Sequence, residues 1–325
     1  MSKSRIKAVL VGAGGWGNQH ARILASRGDV EFAALCGRTE EKTRNRAQQY
    51  GVRWYLDIDE MLNKEKPDFV CLCLPNQGHF QPTLKVIQAG YPLLVEKPLV
   101  FDLNEADTLL AEAAKRNLFF AINFNHRYGK PVMMAREAIQ QGRLGAIRFA
   151  SWWLGGSGGE CPDHDNLIET QCHGLDMLEH LCGPIDSVAA QMTDNYRTIS
   201  VALHFASGAV GNLAGSYESS WEYRGSHRLE VGGLAGRVVV EDTVKRFSFQ
   251  KHGSEIAEVW EAGYFNDWDR QFFPTFDKHM DAVLAALRAG QQPPIHARAG
   301  RRALLIALRI IESHNTSKRV AVPAE

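Results

Sequence analysis

The order of elements in this chain predicts an α/β fold in two parts. A doubly wound parallel sheet spans residues 1–123, and an α/β domain with an open, largely antiparallel or mixed sheet spans 124–325, its last helix free to pack back on the first part. Three observations carry the prediction. A glycine-rich turn, Gly12-Ala13-Gly14-Gly15-Trp16-Gly17, closes an apolar run and opens a helical one. Short apolar runs then alternate with amphipathic stretches at βα spacing. From about residue 124 the pattern changes: Val201, Leu203 and Phe205 alternate with Ser200, Ala202 and His204, which suits a sheet with one packed face.

The first element is the strand from Ile6 to Gly12. The fingerprint that follows fits G-x-G-x-x-G in the context that gives it meaning, between a strand and the helix running through His20 to Ala25. Gly12 permits the tight turn, Gly14 lets backbone approach a pyrophosphate, and Gly17 lets helix and strand pack closely. Gly15 and Trp16 lie inside the same turn, and the helix N-terminus offers its N–H groups to phosphate. The second strand, Val30 to Cys36, ends in Gly37-Arg38-Thr39. A site for NAD places a carboxylate here to hold the ribose 2′-hydroxyl. A guanidinium and a hydroxyl suit a 2′-phosphate instead, so Arg38 and Thr39 favour NADP over NAD.

A strand from Asp68 to Leu74 leaves through Pro75-Asn76-Gln77-Gly78-His79, and a helix from Phe80 to Ala89 follows. The apolar run Tyr91 to Val95 reads as a buried strand ending in Glu96-Lys97-Pro98. A lysine there projects from the carboxyl edge of the sheet, where open parallel sheets bind ligands. A helix from Leu103 to Asn117 and a sixth strand from Leu118 to Ile122 complete the first part. Right-handed crossovers put all these strand ends on one edge.

In the second part, helices are expected near Lys130 to Gln141 and from Leu167 to Leu181. Strands are expected over Ala146–Trp153, Val188–Met192, Ile199–Phe205, Ala209–Tyr217, His227–Val231, Arg237–Glu241 and Arg246–Gln250, and closing helices over Phe276–Ala289 and Arg298–Ser313. The run Gly155-Gly156-Ser157-Gly158-Gly159 is expected to be a flexible loop. Within the helix from Leu167, spacings of four and three residues put Glu169, His173 and Asp176 on one stripe. Alone, such a stripe is as well explained by a solvated Glu–His pair; beside a strand-end lysine and a dinucleotide fold it becomes a candidate active-site face.

Composition sets outer bounds. Lys plus Arg balances Asp plus Glu at 37 each, which gives no electrostatic reason to expect nucleic acid or an anionic membrane as partner. The apolar runs are too short to span a bilayer, and the N-terminal one leads directly into the fingerprint, so it reads as structure rather than as a leader. The 6 cysteines include no Cys-x-x-Cys pair, so no structural zinc site is expected. Buried reduced thiols and a cytoplasmic location are the expectation.

Together the fingerprint at Gly12, Gly14 and Gly17, Pro75-Asn76-x-x-His79, Glu96-Lys97-Pro98 and His173-x-x-Asp176 resemble the glucose–fructose oxidoreductase / inositol dehydrogenase / MocA (Gfo/Idh/MocA) family over nearly the whole chain. The resemblance implies a Rossmann domain followed by a substrate domain whose open sheet makes a homodimer or homotetramer. It implies NAD(P)-dependent hydride transfer at a secondary hydroxyl or ketone of a sugar, cyclitol or derivative. Lys97 matches the family's catalytic lysine and His173 its acid/base. Glu169 falls where many members carry Asp, and Gln171 where many carry Gly. Pro75, Asn76, His79, Glu96, Lys97 and Arg127 are then expected near cofactor, and Trp152, Trp153, Glu169 and His173, with Lys97, near substrate. Two other readings stay open: a glycosidase or lyase that oxidises its substrate transiently with bound cofactor, and an NADP-binding sensor or repressor without turnover.

Overall fold

The computed structural model describes residues 5–158, 164–263 and 267–324. The first elements are β1 (Ile6–Val11), α1 (Gly15–Ser26), β2 (Val30–Cys36), α2 (Glu40–Tyr50), β3 (Arg53–Tyr55), α3 (Ile58–Glu65), β4 (Phe69–Leu72), α4 (Phe80–Gln88), β5 (Leu93–Glu96), α5 (Leu103–Lys115) and β6 (Phe120–Asn123). Then come α6 (Lys130–Gln140), β7 (Ile147–Gly155), α7 (Cys172–Cys182), β8 (Ile185–Met192), β9 (Thr198–Phe205), β10 (Val210–Ser216), β11 (His227–Gly233), β12 (Gly236–Glu241), β13 (Arg246–Lys251) and β14 (Ala257–Glu261). The chain closes with α8 (Asp267–Arg270), α9 (Pro274–Arg288), α10 (Arg298–Thr316) and β15 (Val320–Ala321). Two compact units result, one of residues 1–124 with 276–301, the other of 125–275 with 302–325.

The first unit is built on a six-stranded sheet in the order β3-β2-β1-β4-β5-β6, with every pairing parallel. Its central strands are apolar without alternation because helices cover both faces: Val9, Leu10, Val70, Leu72, Leu93 and Val95 are wholly buried. The order reverses between β1 and β4, and the ligand crevice of such a sheet lies at the carboxyl ends beside that reversal. Asp57 and Asp102 cap α3 and α5 by accepting from backbone N–H groups of the first turn. The edge strand β6 is covered by residues 295–297, whose backbone exchanges hydrogen bonds with Phe120 and Ile122. Arg22 pairs with Asp277 at 2.6 Å, tying α1 to α9.

The second unit carries a nine-stranded sheet, β14-β13-β12-β11-β7-β10-β9-β8-β15, antiparallel except for the β7–β10 pair. One face is packed: Trp152, Val201, Leu213, Leu229, Val231 and Val240 are buried, and α7 lies against β7. Gly174 is where that helix touches, since a Cβ there would stand 2.5 Å from Trp152 Nε1.

One expectation is corrected. Residues 167–181 do not form a single helix: a π-helical turn, Asn166–Thr170, precedes α7. Glu169 and His173 therefore belong to different helical segments, and the four-residue spacing does not set one stripe. The cause is Gln171, wholly buried, with its amide held by Asn166 Oδ1 at 3.1 Å, by Leu154 O at 3.3 Å and by Trp152 Nε1, which donates to Gln171 Oε1 at 3.1 Å. Space for this side chain comes from Gly215, where a Cβ would stand 2.2 Å from Gln171 Nε2. Of the glycine-rich run, Gly156 and Gly158 lie against the rings of Trp221 and Tyr217, and Gly159 lies outside the described residues, as does Cys161. The short strands β3, β14 and β15, without a pattern of their own, complete sheet edges.

Candidate active site

In the first unit the fingerprint glycines divide into two kinds. Gly12 has φ +122°, and a Cβ there would lie 1.8 Å from the Cys73 carbonyl oxygen; one on Gly17 would lie 2.2 Å from Gly12 O. The fold itself requires both. Among the described residues, nothing lies within 4 Å of the corresponding position on Gly14 or Gly15. No internal contact accounts for them, so they leave an open cradle at the N-terminus of α1. That helix has Gly14 as its N-cap, no side-chain cap and no acidic residue in its first turn. Open backbone, uncapped N–H groups and absent negative charge fit a dinucleotide pyrophosphate. Trp16 stands beside the cradle, half exposed and stacked on Phe276 at 5.6 Å.

At the end of β2, Arg38 and Thr39 are exposed, and Thr39 is the N-cap residue of α2. Pro75 is exposed at the end of the Cys73–Leu74 segment and Asn76 opens a 3₁₀ turn. His79 turns inward instead: it is buried, its Nε2 donates to Leu74 O at 3.0 Å, and burial holds its imidazole below the usual range. It braces the exit loop.

Lys97 follows β5, half-buried, with a cis bond to Pro98. Glu96 beneath it is buried and accepts from three donors: His20 Nε2 at 2.7 Å and Asn123 Nδ2 at 2.6 Å on one oxygen, and the Lys97 backbone N–H at 3.2 Å on the other. Asn123 Oδ1 in turn meets His279 Nδ1 at 2.6 Å. Burial disfavours the Glu96 carboxylate, but His20, Lys97 and Asn123 hold its pKa below the usual value. Burial likewise opposes a charge on His20, yet Cys71 and Glu96 outweigh it and push the imidazole up to about 10. Donor atoms of His20, Cys73 and Glu96 lie within 4.8 Å of one another. Burial pushes the Cys73 thiol up, so in the metal-free protein it stays protonated. The group reads as a polar brace under Lys97.

In the second unit His173 is the second residue of α7, buried, and stacked on His126 with ring centroids 4.0 Å apart and planes 18° apart. His126 also meets the edges of His227 and Phe272. Asp176, one turn after His173, is held by Arg127 through two hydrogen bonds of 2.8 and 2.5 Å. Burial raises the Asp176 carboxyl, and Arg127 pulls the other way. Glu169 accepts from Thr170 Oγ1 at 2.5 Å and from Tyr217 Oη at 3.2 Å. Trp152 is wholly buried, its ring against Gly174 of α7 and 4.3 Å from that of His227, while Trp153 on the opposite face is partly exposed.

Lys97, the fingerprint, Arg38, Thr39 and Glu96 thus belong to the first unit, and Arg127, Trp152, Trp153, Glu169 and His173 to the second. Sequence reasoning passed over His20, Asn123 and His279 around Glu96, and His126, Tyr217 and His227 in the second unit. Their partners are dozens of residues away, and no spacing joins them.

Fold and fingerprint define a protein with a dinucleotide-binding first domain. A model of an oxidoreductase family with an NAD-binding Rossmann fold matches residues 6–124, and the model of that family's C-terminal α/β domain matches 165–322. The chain belongs to the Gfo/Idh/MocA oxidoreductase family. It is 23% identical to inositol 2-dehydrogenase of Rhizobium meliloti over 96% of this chain and 98% of that one. It is 31% identical to D-glucoside 3-dehydrogenase of Escherichia coli, over 45% of this chain and 42% of that relative, so that match spans less than half of either. Among solved structures, levoglucosan dehydrogenase in complex with NADH and levoglucosan shares the fold with a TM-score of 0.90 at 17% identity, covering 99% of this chain and 100% of that one.

Proposed function

We propose that the protein is an NAD(P)-dependent dehydrogenase that oxidises a secondary hydroxyl of a sugar, cyclitol or glycoside, or reduces the matching ketone. The observation that carries this reading is the open Gly14–Gly15 cradle at the head of α1, in a chain that also carries Glu96-Lys97-Pro98 at a strand end. The relatives' names, inositol and glucoside dehydrogenases, support the substrate class.

The nicotinamide, when bound, supplies the hydride acceptor. Lys97 supplies an ammonium that stabilises negative charge on the reacting oxygen, and such preorganised charge is usually the largest catalytic contribution. His173 takes the hydroxyl proton, help typically worth about two to four powers of ten. Glu169, fixed by Thr170 and Tyr217, binds a substrate hydroxyl. Arg127 orients α7 through Asp176. Arg38 and Thr39 hold the 2′-phosphate of NADP, and the preference for NADP over NAD rests on them; Glu40 and Glu41, which follow, face the N-terminal dipole of their own helix.

The exposed face of the nine-stranded sheet, with Phe149, Val210 and Val259, is proposed to bury itself in a homodimer or homotetramer, which light scattering tests. Cys36, Cys71, Cys73 and Cys182 are buried free thiols, in keeping with a cytoplasmic protein. No helix among the described residues is long and apolar enough to cross a membrane. The functional test is cofactor reduction across cyclitols, aldoses, sugar acids and glycosides, with NAD⁺ and NADP⁺ in parallel. Substrate-dependent reduction with NADP⁺ ahead of NAD⁺ is expected. Sugar release without net reduction, or tight cofactor binding without turnover, would contradict it.

A further inference from the structure

His20 has no part in the mechanism above, yet it lies on the helix whose head forms the cradle. It follows Gly17 by three residues, on the face of α1 that is buried with Ala21 and Leu24. Its Nε2 donates to Glu96 Oε1 at 2.7 Å. Glu96 is the last residue of β5, and Lys97 comes next in the chain. A side chain of α1 thus ends on the carboxylate that adjoins the candidate catalytic lysine.

Both oxygens of that carboxylate are held. Asn123, at the end of β6, donates through Nδ2 to the same Oε1 at 2.6 Å. The amide is fixed in this orientation, because its Oδ1 accepts from His279 Nδ1 of α9 at 2.6 Å. The second oxygen accepts the backbone N–H of Lys97 at 3.2 Å. Side chains from α1, β5, β6 and α9 therefore meet at one buried carboxylate. His20, Glu96, Asn123 and His279 all belong to the first unit.

A buried carboxylate needs donors or a counter-charge to stay ionised. Burial acts against the Glu96 charge, and His20, Lys97 and Asn123 offset it. The charge of Lys97 also reaches Cys73, where burial pushes the thiol up and Lys97 pulls it down. A single peptide unit separates Glu96 from Lys97, so the two side chains are within reach of each other. With His20 in place, the carboxylate is turned onto α1 and β6. Without that donor, the adjoining ammonium is the cation at hand to make good the loss.

We propose that His20 is a positioning residue for Lys97: it holds the Glu96 carboxylate on α1 and so keeps it from capturing the lysine ammonium. The inference rests on the reading of Lys97 as the catalytic cation. It gives α1 two tasks, the cradle at its head and, one turn further on, the placing of the charge at the end of β5.

The test has two arms. The first is the crystal structure of His20→Leu, which removes the donor, and of His20→Gln, whose Nε2 can stand where the imidazole Nε2 stands. Lys97 Nζ is expected within hydrogen-bond distance of Glu96 in His20→Leu and not in His20→Gln. The second is a mutant cycle with Lys97→Met on the substrate that the panel identifies, with NAD⁺ and NADP⁺ binding read by calorimetry. His20→Leu should lower kcat by about ten- to a hundredfold, the scale of a misplaced catalytic group, while cofactor affinity holds. His20→Gln should recover most of that loss. In the Lys97→Met background His20→Leu should cost less than about twofold, because the group it acts through is gone. If His20→Leu does not fold, His20→Asn, too short to reach Glu96, takes its place with the same expectations. An unmoved Lys97, equal losses in both backgrounds, or lost cofactor affinity with kcat kept overturns the proposal. Full turnover of Lys97→Met would instead sink the reading of Lys97, while the crystal structures still decide where Glu96 turns.

Discussion

The first unit prepares for its ligand by leaving things out, and the second by crowding things in. At Gly14 and Gly15 there is no side chain, and among the described residues nothing lies within 4 Å of where a Cβ would stand. Around His173, by contrast, His126, the Arg127–Asp176 pair and the buried Gln171 fill the space with polar groups that engage one another. On the proposed function, the difference follows from the task. A pyrophosphate is recognised by backbone N–H groups and a helix end, which need only access. A proton is moved by side chains whose charge must be set, and that needs packed partners.

The comparison predicts opposite responses to small changes. The largest effect falls on the two kinds of glycine. Gly12→Ala should destabilise the fold by about 3 kcal/mol or more, because its φ of +122° and the Cys73 carbonyl both exclude a Cβ. Gly14→Ala should melt within a few degrees of wild type and lose cofactor affinity, read by calorimetry or fluorescence quenching. Equal melting points for the two variants would break the distinction.

Next comes the second unit's ion pair. Arg127→Ala leaves the buried Asp176 carboxylate without a counter-charge and should cost about 3–5 kcal/mol in denaturant unfolding. Asp176→Asn together with Arg127→Met should recover much of that loss. A neutral single variant would mean that the pair is not what holds α7.

The smallest effect expected is at the cofactor's far end. Arg38→Ala should reduce the proposed preference for NADP over NAD by about tenfold, the scale of one charge-assisted contact to phosphate, with little change in melting temperature. An unchanged cofactor ratio would remove Arg38 from the 2′-phosphate and sharpen attention on Lys42 and Arg46 of α2.

The two regions also differ in how far they could be read in advance. The cradle was legible because its chemistry is local: six consecutive residues between a strand and a helix state both the turn and its purpose. The parallel sheet was legible for the same reason, strand by strand. In the second unit the alternation of Val201, Leu203 and Phe205 announced the sheet, but not that β7 and β10 run parallel, which depends on a crossover. The helix at 167–181 was misjudged at Gln171, whose burial turns on the bare Cβ position of Gly215, more than forty residues on. His126 was invisible as a partner of His173 because stacking across 47 residues leaves no periodic trace.

The most direct test of the account is Lys97→Met. It should be assayed beside wild type for cofactor reduction with the substrate panel, and for cofactor binding by calorimetry. The account predicts substrate-dependent reduction by wild type, a fall in kcat of about a hundred- to a thousandfold in the variant, and cofactor binding that persists. Unchanged turnover in Lys97→Met would contradict it.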